Sequence, residues 1–196
     1  KTASERLRSL GGTMMGRYPQ QGESWFFRAI AEEMLDQRDK ALEHFTEATT
    51  RSPGNAVFRM ALAEARMRRN DYALARQELK TILNNNPGDM RARMMMARSL
   101  MAEGSFPQAI DILRLMTLEQ PGNTAIKEML GRSLVMTQDQ KNIEEGLGIL
   151  GEISGPQGLA EGGREFVMAE AAMRQGRAAR RDGDLKASAE KFMEAE

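Results

Sequence analysis

The sequence predicts an all-α fold, a solenoid of antiparallel helix pairs. Ala, Leu, Met, Glu, Gln, Arg and Lys, which favour helices, dominate the 196 residues. Aromatic residues make up only 5%, and β-branched residues form no alternating runs, so we expect essentially no strand. Pro19, Pro53, Pro87 and Pro121 follow one another at intervals of 34 residues. A period of this length indicates a helix pair that can bury its apolar faces only against neighbouring pairs.

The composition excludes several classes of function. Lys and Arg number 28 and Asp and Glu number 28, so no net field attracts nucleic acid or an anionic membrane. The chain has no Cys, which excludes disulfides and thiolate metal sites and leaves the redox compartment open. His44 is the single histidine, so no histidine-based metal cluster or Ser–His–Asp arrangement can be assembled. No apolar run approaches the roughly 18 residues of a membrane span, and we expect no catalytic residue, metal or cofactor.

Residues 1–21 have the place of a second helix from a preceding pair. Gly11, Gly12 and Gly16 interrupt this stretch. Each Gly in a helix interior costs roughly 1 kcal/mol relative to Ala. We therefore expect a partial helix or an irregular cap here.

Residues 22–123 contain three regular units of 34 residues, which align without gaps. Alanines share one position in the first helices and another in the second helices of these units: Ala29, Ala63 and Ala97, then Ala41, Ala75 and Ala109. Small side chains at such positions let two helices approach closely.

Residues 124–156 are expected to form an irregular fourth unit. Gly131 takes the position of the first-helix alanines, but the following turn looks about three residues longer than its counterparts. The second helix, near residues 144–153, is expected to be short or distorted because it contains three glycines: Gly146, Gly148 and Gly151.

Residues 157–196 are expected to form a loop followed by a fifth, terminal unit. Gly and Pro are concentrated in residues 154–163, which favours the loop. Phe192 takes the position of Phe45, and the unit ends without a polar closing helix. Self-association through Phe192 and Met193 is therefore one open alternative.

Residues 146–151 match the glycine spacing of dinucleotide-binding turns. The spacing carries that meaning only between a buried strand and a helix of a βαβ unit. Here it follows a polar stretch, with no strand nearby. We therefore reject cofactor binding at these residues.

On these residues the chain resembles the tetratricopeptide repeat family. The matching residues are Trp25, Ala29, Ala41, Phe45, Ala48 and Pro53, then Leu62, Ala63, Tyr72, Ala75 and Pro87, then Ala97, Leu100, Gly104, Phe106, Ala109 and Pro121. The resemblance implies a right-handed α-solenoid whose first helices line a concave groove that takes a peptide. Looser packing is expected where the family prefers aromatic residues and this chain does not have them: Arg59, Arg93 and Lys127, then Glu32 and Arg66.

Recurring positions of the first helices predict which residues line this groove: Phe26, Ile30, Met60, Glu64, Met67, Arg91, Met94, Arg98, Met101 and Arg132. Methionine can repack around varied apolar side chains, and arginine can bind acidic groups. We therefore predict a non-catalytic scaffold that binds an extended or helical segment of a protein partner. By contrast, Met95, Met96, Met116 and Met129 are expected in the core.

The arginines of the last unit allow two interpretations. They lie on one side of its first helix and either continue the basic lining or form a solvated face: Arg174, Arg177, Arg180 and Arg181. Nucleic acid is not expected as the partner, because no aromatic residues are interleaved with them.

A second hypothesis places a catalytic domain upstream. Thr2 and Arg6 resemble the Thr-x-x-x-Arg stretch that follows the HExxH domain of some bacterial envelope metallopeptidases. That resemblance implies a repeat region that docks substrates or partners in the periplasm. Without that resemblance, the sequence does not decide whether the protein resides in the bacterial cytoplasm or in the periplasm.

Overall fold

The computed structural model describes residues 2–137, 139–154, 169 and 172–173. Regular structure in these residues is entirely helical, which confirms the all-α prediction. The described helices are α1 (Ala3–Arg17), α2 (Gly22–Met34), α3 (Arg38–Arg51), α4 (Ala56–Arg68), α5 (Tyr72–Asn85), α6 (Met90–Ala102), α7 (Phe106–Glu119), α8 (Thr124–Val135) and α9 (Gln140–Ser154). None of them has the length and apolar content that crossing a membrane requires.

Part of the predicted terminal region lies outside the described residues. Of the loop predicted over 154–163, Ser154 is instead the last residue of α9, and the rest lies outside the described residues. The same applies to most of the fifth unit, including the residues predicted as a basic lining or an exposed end: Arg174, Arg177, Arg180, Arg181, Phe192 and Met193.

Helix starts repeat with the period of the prolines. The first helices begin at residues 22, 56, 90 and 124, and the second helices begin at residues 38, 72, 106 and 140. Both series advance by 34 residues at every step. The 34-residue period of the prolines is therefore also the period of the helix pairs.

The turns of the three helix pairs from α2 to α7 each contain one residue in the left-handed backbone region. Asp36, Asn70 and Gly104 hold equivalent places after the first helix, with φ of 55°, 64° and 79°. Glycine reaches this region without strain, and Asp and Asn tolerate it better than other residues do. The residue types in the turn are thus set by backbone conformation.

The fourth helix pair corrects two predictions. The predicted excess of about three residues in the turn is wrong: α8 and α9 are four residues apart, against three in the other pairs, and residue 140 follows residue 124 by 16 positions, as residue 38 follows residue 22. The predicted short or distorted second helix is also wrong, because α9 runs for 15 residues. Leu147 and Leu150 become buried along α9, and burying each contributes about 1.5–3 kcal/mol. That gain exceeds the cost of the glycines.

A helix, α1, lies where the second helix of a preceding pair is expected, and it is more regular over Ala3–Arg17 than its glycines suggest. The Thr2 hydroxyl accepts from the Glu5 amide while the Glu5 carboxylate accepts from the Thr2 amide, which caps α1 at its start. A Cβ on Gly11 would lie 3.0 Å from the Arg28 Cα, so glycine lets α1 approach α2 closely. Thr2 therefore has a capping role in this chain.

The chain divides into two compact units, residues 1–99 and residues 100–196. The core of the first unit includes small and large side chains from α2, α3 and α4: Ala29, Ala41, Phe45, Leu62 and Ala65. The core of the second unit includes side chains from α8, from α9 and from Met136, which directly follows α8: Val135, Met136, Leu147 and Leu150.

Charged pairs stand inside the first two helix pairs, where the family often has aromatic residues. Glu32 is 1% exposed, and its two oxygens lie 2.8 Å from Arg28 Nε and 2.5 Å from His44 Nδ1. Glu78 accepts from Arg59 at 2.5 Å and from Arg66 at 2.9 Å. Complementary charges therefore replace aromatic packing at these positions.

Candidate functional site

The predicted site residues lie at recurring positions of the first helices. They are the second, fifth, ninth and twelfth residues of the repeats, and this spacing puts them on one side of each helix. Within the first unit we call this surface the first-helix face: Glu23, Phe26, Ile30 and Glu33 on α2, Val57, Met60, Glu64 and Met67 on α4, and Arg91, Met94 and Arg98 on α6.

Three residues of this face are not among the residues predicted to line the groove. Val57 and Glu23 share the second position with Arg91, and Glu33 shares the twelfth position with Met67. The same spacing that identified Arg91 and Met67 would have identified them. Val57 matters most, because it is apolar and 63% exposed.

Two predicted residues lie in the second unit. Met101 is half-buried near the end of α6. Arg132 is exposed on α8 and pairs with Glu128 one turn earlier at 3.0 Å. An exposed pair of this kind contributes little to stability, so the Arg132 guanidinium can exchange partners at low cost.

Phe26, Ile30 and Met60 form the floor of the first-helix face. Phe26 and Ile30 are half-buried and pack against the core cluster of the first unit. The Phe26 ring stacks on the Phe58 ring with centroids 4.6 Å apart. Met60 is only 6% exposed, so a ligand would reach it only if its side chain changed rotamer. These side chains support the face and offer little surface themselves.

Two ion pairs join the helices of this face. Arg91 on α6 pairs with Glu64 on α4, and Arg68 on α4 pairs with Glu33 on α2. Partial burial lowers the pKa of the Arg68 guanidinium from its ordinary value. The pairs show that the three first helices are neighbours, and they leave Glu33 and Glu64 with their charges compensated.

The accessible part of the face is apolar with a charge at each side. Val57 is exposed, and Met67 and Met94 are half-buried. Arg98 on α6 and Glu23 on α2 are exposed and form no ion pair or hydrogen bond within the described residues. The surface can therefore bind apolar side chains and one group of each charge.

The methionines predicted in the core are mostly buried. Met95, Met96 and Met116 are 6%, 7% and 0% exposed, which confirms their prediction. Met129 is half-buried. Burial thus separates Met95, Met96 and Met116 from the half-buried Met67 and Met94, whereas Met129 is half-buried like those two.

Other parts of the described chain offer little for chemistry. Residues 146–151 lie inside α9 and not at a turn between a strand and a helix. No three His, Asp or Glu side chains in residues 2–137 and 139–154 are arranged to hold a metal ion. A cleft of about 440 Å³ between α1 and α2 is lined by Glu5, Arg8, Ser9 and Arg28, but Arg28 already pairs with Glu32.

Antiparallel helix pairs repeated every 34 residues, with a left-handed residue in the turns of the pairs from α2 to α7, define an all-α helical repeat protein. The chain belongs to the tetratricopeptide repeat family, whose sequence profile matches residues 34–99 and 67–133. Proteins of this fold generally serve as scaffolds without catalytic activity. Comparison with curated proteins gives no match.

Solved structures share this fold at low sequence identity. The chain is similar to a MamA RS-1 ArsTM double mutant, with a TM-score of 0.68, 16% identity and coverage of 77% of this chain and 85% of that chain. A tetratricopeptide repeat protein from Parabacteroides merdae gives a TM-score of 0.60, 15% identity and coverage of 94% and 68%. YrrB, a repeat protein with an unusual peptide-binding site, gives a TM-score of 0.60, 12% identity and coverage of 94% and 90%.

Proposed function

We propose that this chain is a non-catalytic tetratricopeptide scaffold that binds a peptide segment or helix of a protein partner on the first-helix face. One observation carries the proposal: Val57, Met67 and Met94 stay accessible to solvent on a surface that neighbouring helices hold in place. Exposed apolar side chains that share a face favour a binding role. The peptide-binding site of YrrB, which has the same fold, supports a peptide as the ligand.

The side chains of the face combine a fixed base with an adaptable surface. Phe26 is held against the core by stacking on Phe58, and an ion pair between Glu64 and Arg91 joins α4 and α6. A surface that is already ordered loses less entropy on binding. Met67 and Met94 can adjust their rotamers to different apolar side chains of a partner. We expect micromolar rather than nanomolar affinity for a short segment, since few contacts are fixed in advance.

Two further predicted residues belong to this proposal as separate contacts. Met101 and Arg132 occupy, in the second unit, positions equivalent to those of Met67 and Glu64. Arg132 would exchange its Glu128 partner for an acidic group of the ligand. Their contribution can be measured independently by changing each to Ser.

Methionine methyl signals offer a direct test. Dodecapeptides selected from a phage-displayed random library against this chain would be titrated into protein that carries ¹³C-methyl methionine. The methyl resonances would be followed by NMR spectroscopy. We expect shifts of the Met67 and Met94 signals, while Met116, which is 0% exposed on α7, serves as an internal control. Peptides that shift Met116 and leave Met67 and Met94 unchanged would contradict the proposed face.

Two matched variants separate binding from folding. Changing Met67 and Met94 to Glu should weaken peptide binding about tenfold or more, because a carboxylate would be desolvated against apolar groups. The control changes Leu115 and Leu118, which are 60% and 80% exposed on α7, to Glu. Both variants should keep the helical circular dichroism of the parent. Equal loss of binding in both variants would remove the assignment to the first-helix face.

A further inference from the structure

The first-helix face has opposite charges at its two sides. The acidic residues in its interior are compensated, since Arg68 pairs with Glu33 and Arg91 pairs with Glu64. Two exposed charges remain without a partner within the described residues: Glu23 on α2 and Arg98 on α6. Arg91 is 68% exposed even in its pair, which adds to the positive potential on the α6 side.

The region between these charges is apolar. Ile30 and Met67 are half-buried there, and Val57 is 63% exposed. At the interaxial distance of about 8–10 Å that is typical of packed helices, three neighbouring first helices would span about 20 Å from α2 to α6. An extended chain crosses this distance with about six residues, whereas a helix lying across it would need about 13. Ordering fewer residues costs less conformational entropy, which favours the extended ligand.

We propose that the segment bound here is an extended peptide with a fixed direction, which places an acidic residue at Arg98, a basic residue at Glu23 and aliphatic residues between them. This inference rests on the proposed function, because it assumes that the first-helix face is the binding surface. A segment with the reverse order of charges would set its acidic end against Glu23 and its basic end against Arg98. Repulsion between these like charges would weaken binding in the reverse direction. The same repulsion would weaken binding of peptides that lack the matching order of charges.

A selection experiment can determine the direction of the bound peptide from the sequences of the peptides that are selected. Phage-displayed random dodecapeptides would be selected against the whole chain and against the Glu23→Lys, Arg98→Glu variant, which has the same net charge. We expect peptides selected on the parent to carry acidic and basic residues in one order, about six residues apart around an apolar centre. The variant should select the opposite order, and parent-selected peptides should bind it about tenfold more weakly.

A second charge exchange controls for general effects of mutation. Lys40 and Glu43 are exposed on α3, away from the first-helix face, so Lys40→Glu with Glu43→Lys keeps net charge and leaves the face intact. This control should select the same order of charges as the parent. Circular dichroism would confirm that all three proteins keep their helices.

The outcomes separate this inference from the proposed function. Selected peptides that shift Met67 and Met94 but show no order of charges, or the same order on parent and variant, would overturn the inference and leave the proposed function in place. Selected peptides that leave Met67 and Met94 unshifted would overturn both. Reversal by the Glu23 and Arg98 exchange, without reversal by the control, would establish the direction.

Discussion

Arg59 donates a hydrogen bond from Nε to the carbonyl oxygen of Pro53 at 2.8 Å. In the preceding repeat, Trp25 holds the equivalent place and donates from Nε1 to the carbonyl oxygen of Pro19 at 3.0 Å. Two chemically different side chains therefore make the same bond to the proline after the previous helix. The position requires an N–H donor of suitable reach, which both the indole and the guanidinium supply.

The third repeat follows the same rule, because Arg93 Nε donates to the carbonyl oxygen of Pro87 at 2.6 Å. Arginine at this position, which departs from the aromatic preference of the family, thus keeps the contact between consecutive repeats. The Arg59 side chain also pairs with Glu78. The Glu78 side chain is only 13% exposed to solvent.

Replacing Arg59 by Met should lower the free energy of unfolding by about 1–3 kcal/mol. The change removes the bond to Pro53 and leaves Glu78 with Arg66 as its remaining described ion-pair partner. Urea denaturation followed by circular dichroism would measure the loss. Arg98→Met is the matched control and should change stability by less than about 0.5 kcal/mol, since Arg98 is exposed. Equal effects of the two substitutions would contradict this account of Arg59.

The Glu32–His44 pair should show strong coupling in a double-mutant cycle. Glu32→Leu alone should cost about 3 kcal/mol or more, because it leaves Arg28 and His44 without their shared carboxylate. Adding His44→Ile should recover at least about 1 kcal/mol of that loss. The equivalent residues of the third repeat are already apolar, namely Leu100 and Ile112. Thermal and urea unfolding of the four proteins would give the coupling energy.

Independent, additive losses in that cycle would show that Glu32 and His44 do not act as a pair. Replacement of His44 alone provides a further check. It should destabilise the protein, because the Glu32 carboxylate, 1% exposed, would keep only Arg28 as a described partner.

The turn residues make a prediction about backbone conformation. Gly104→Ala should cost about 1 kcal/mol, since its φ of 79° lies in the left-handed region that a Cβ disfavours. Gly88→Ala is the control: Gly88 is exposed, its φ is not positive, and the substitution should be neutral or slightly stabilising. Differential scanning calorimetry would compare the melting temperatures. A neutral effect of Gly104→Ala would show that the turn relaxes without strain.

The repeat could be read from the sequence because its signals are local. Pro53 and Pro87 end helices whatever surrounds them, and Ala63 and Ala75 mark close helix contacts. The prediction for the second helix of the fourth unit is wrong because the signals that decide it are not local. Helix propensity counts the cost of its glycines, but the compensating burial of Leu147 depends on tertiary packing that propensity does not include.

The first-helix face could be predicted only in part. Periodic spacing assigns Met60 and Met67 to the same side of α4, yet Met60 is 6% exposed while Met67 is half-buried. Spacing gives direction around a helix but not depth, which depends on the neighbouring helices. The Glu64–Arg91 pair likewise joins residues 27 positions apart, so it requires knowledge of which helices are neighbours.

Two glycines of α9 should respond to alanine in opposite ways. A Cβ on Gly146 would lie 2.6 Å from the Gly131 carbonyl oxygen and 2.9 Å from the Leu134 Cβ, so Gly146→Ala must push α9 away from α8. We expect a loss of about 1–3 kcal/mol. A Cβ on Gly148 meets no atom within 4 Å, and Gly148→Ala should stabilise the helix by about 0.5–1 kcal/mol. Urea unfolding of both variants would measure the difference, and a stabilising Gly146→Ala would contradict the close contact. The expected pattern assigns Gly146 to the close contact between α9 and α8 and leaves Gly148 as an ordinary exposed helix position. A phosphate-binding turn would instead require glycine at both positions.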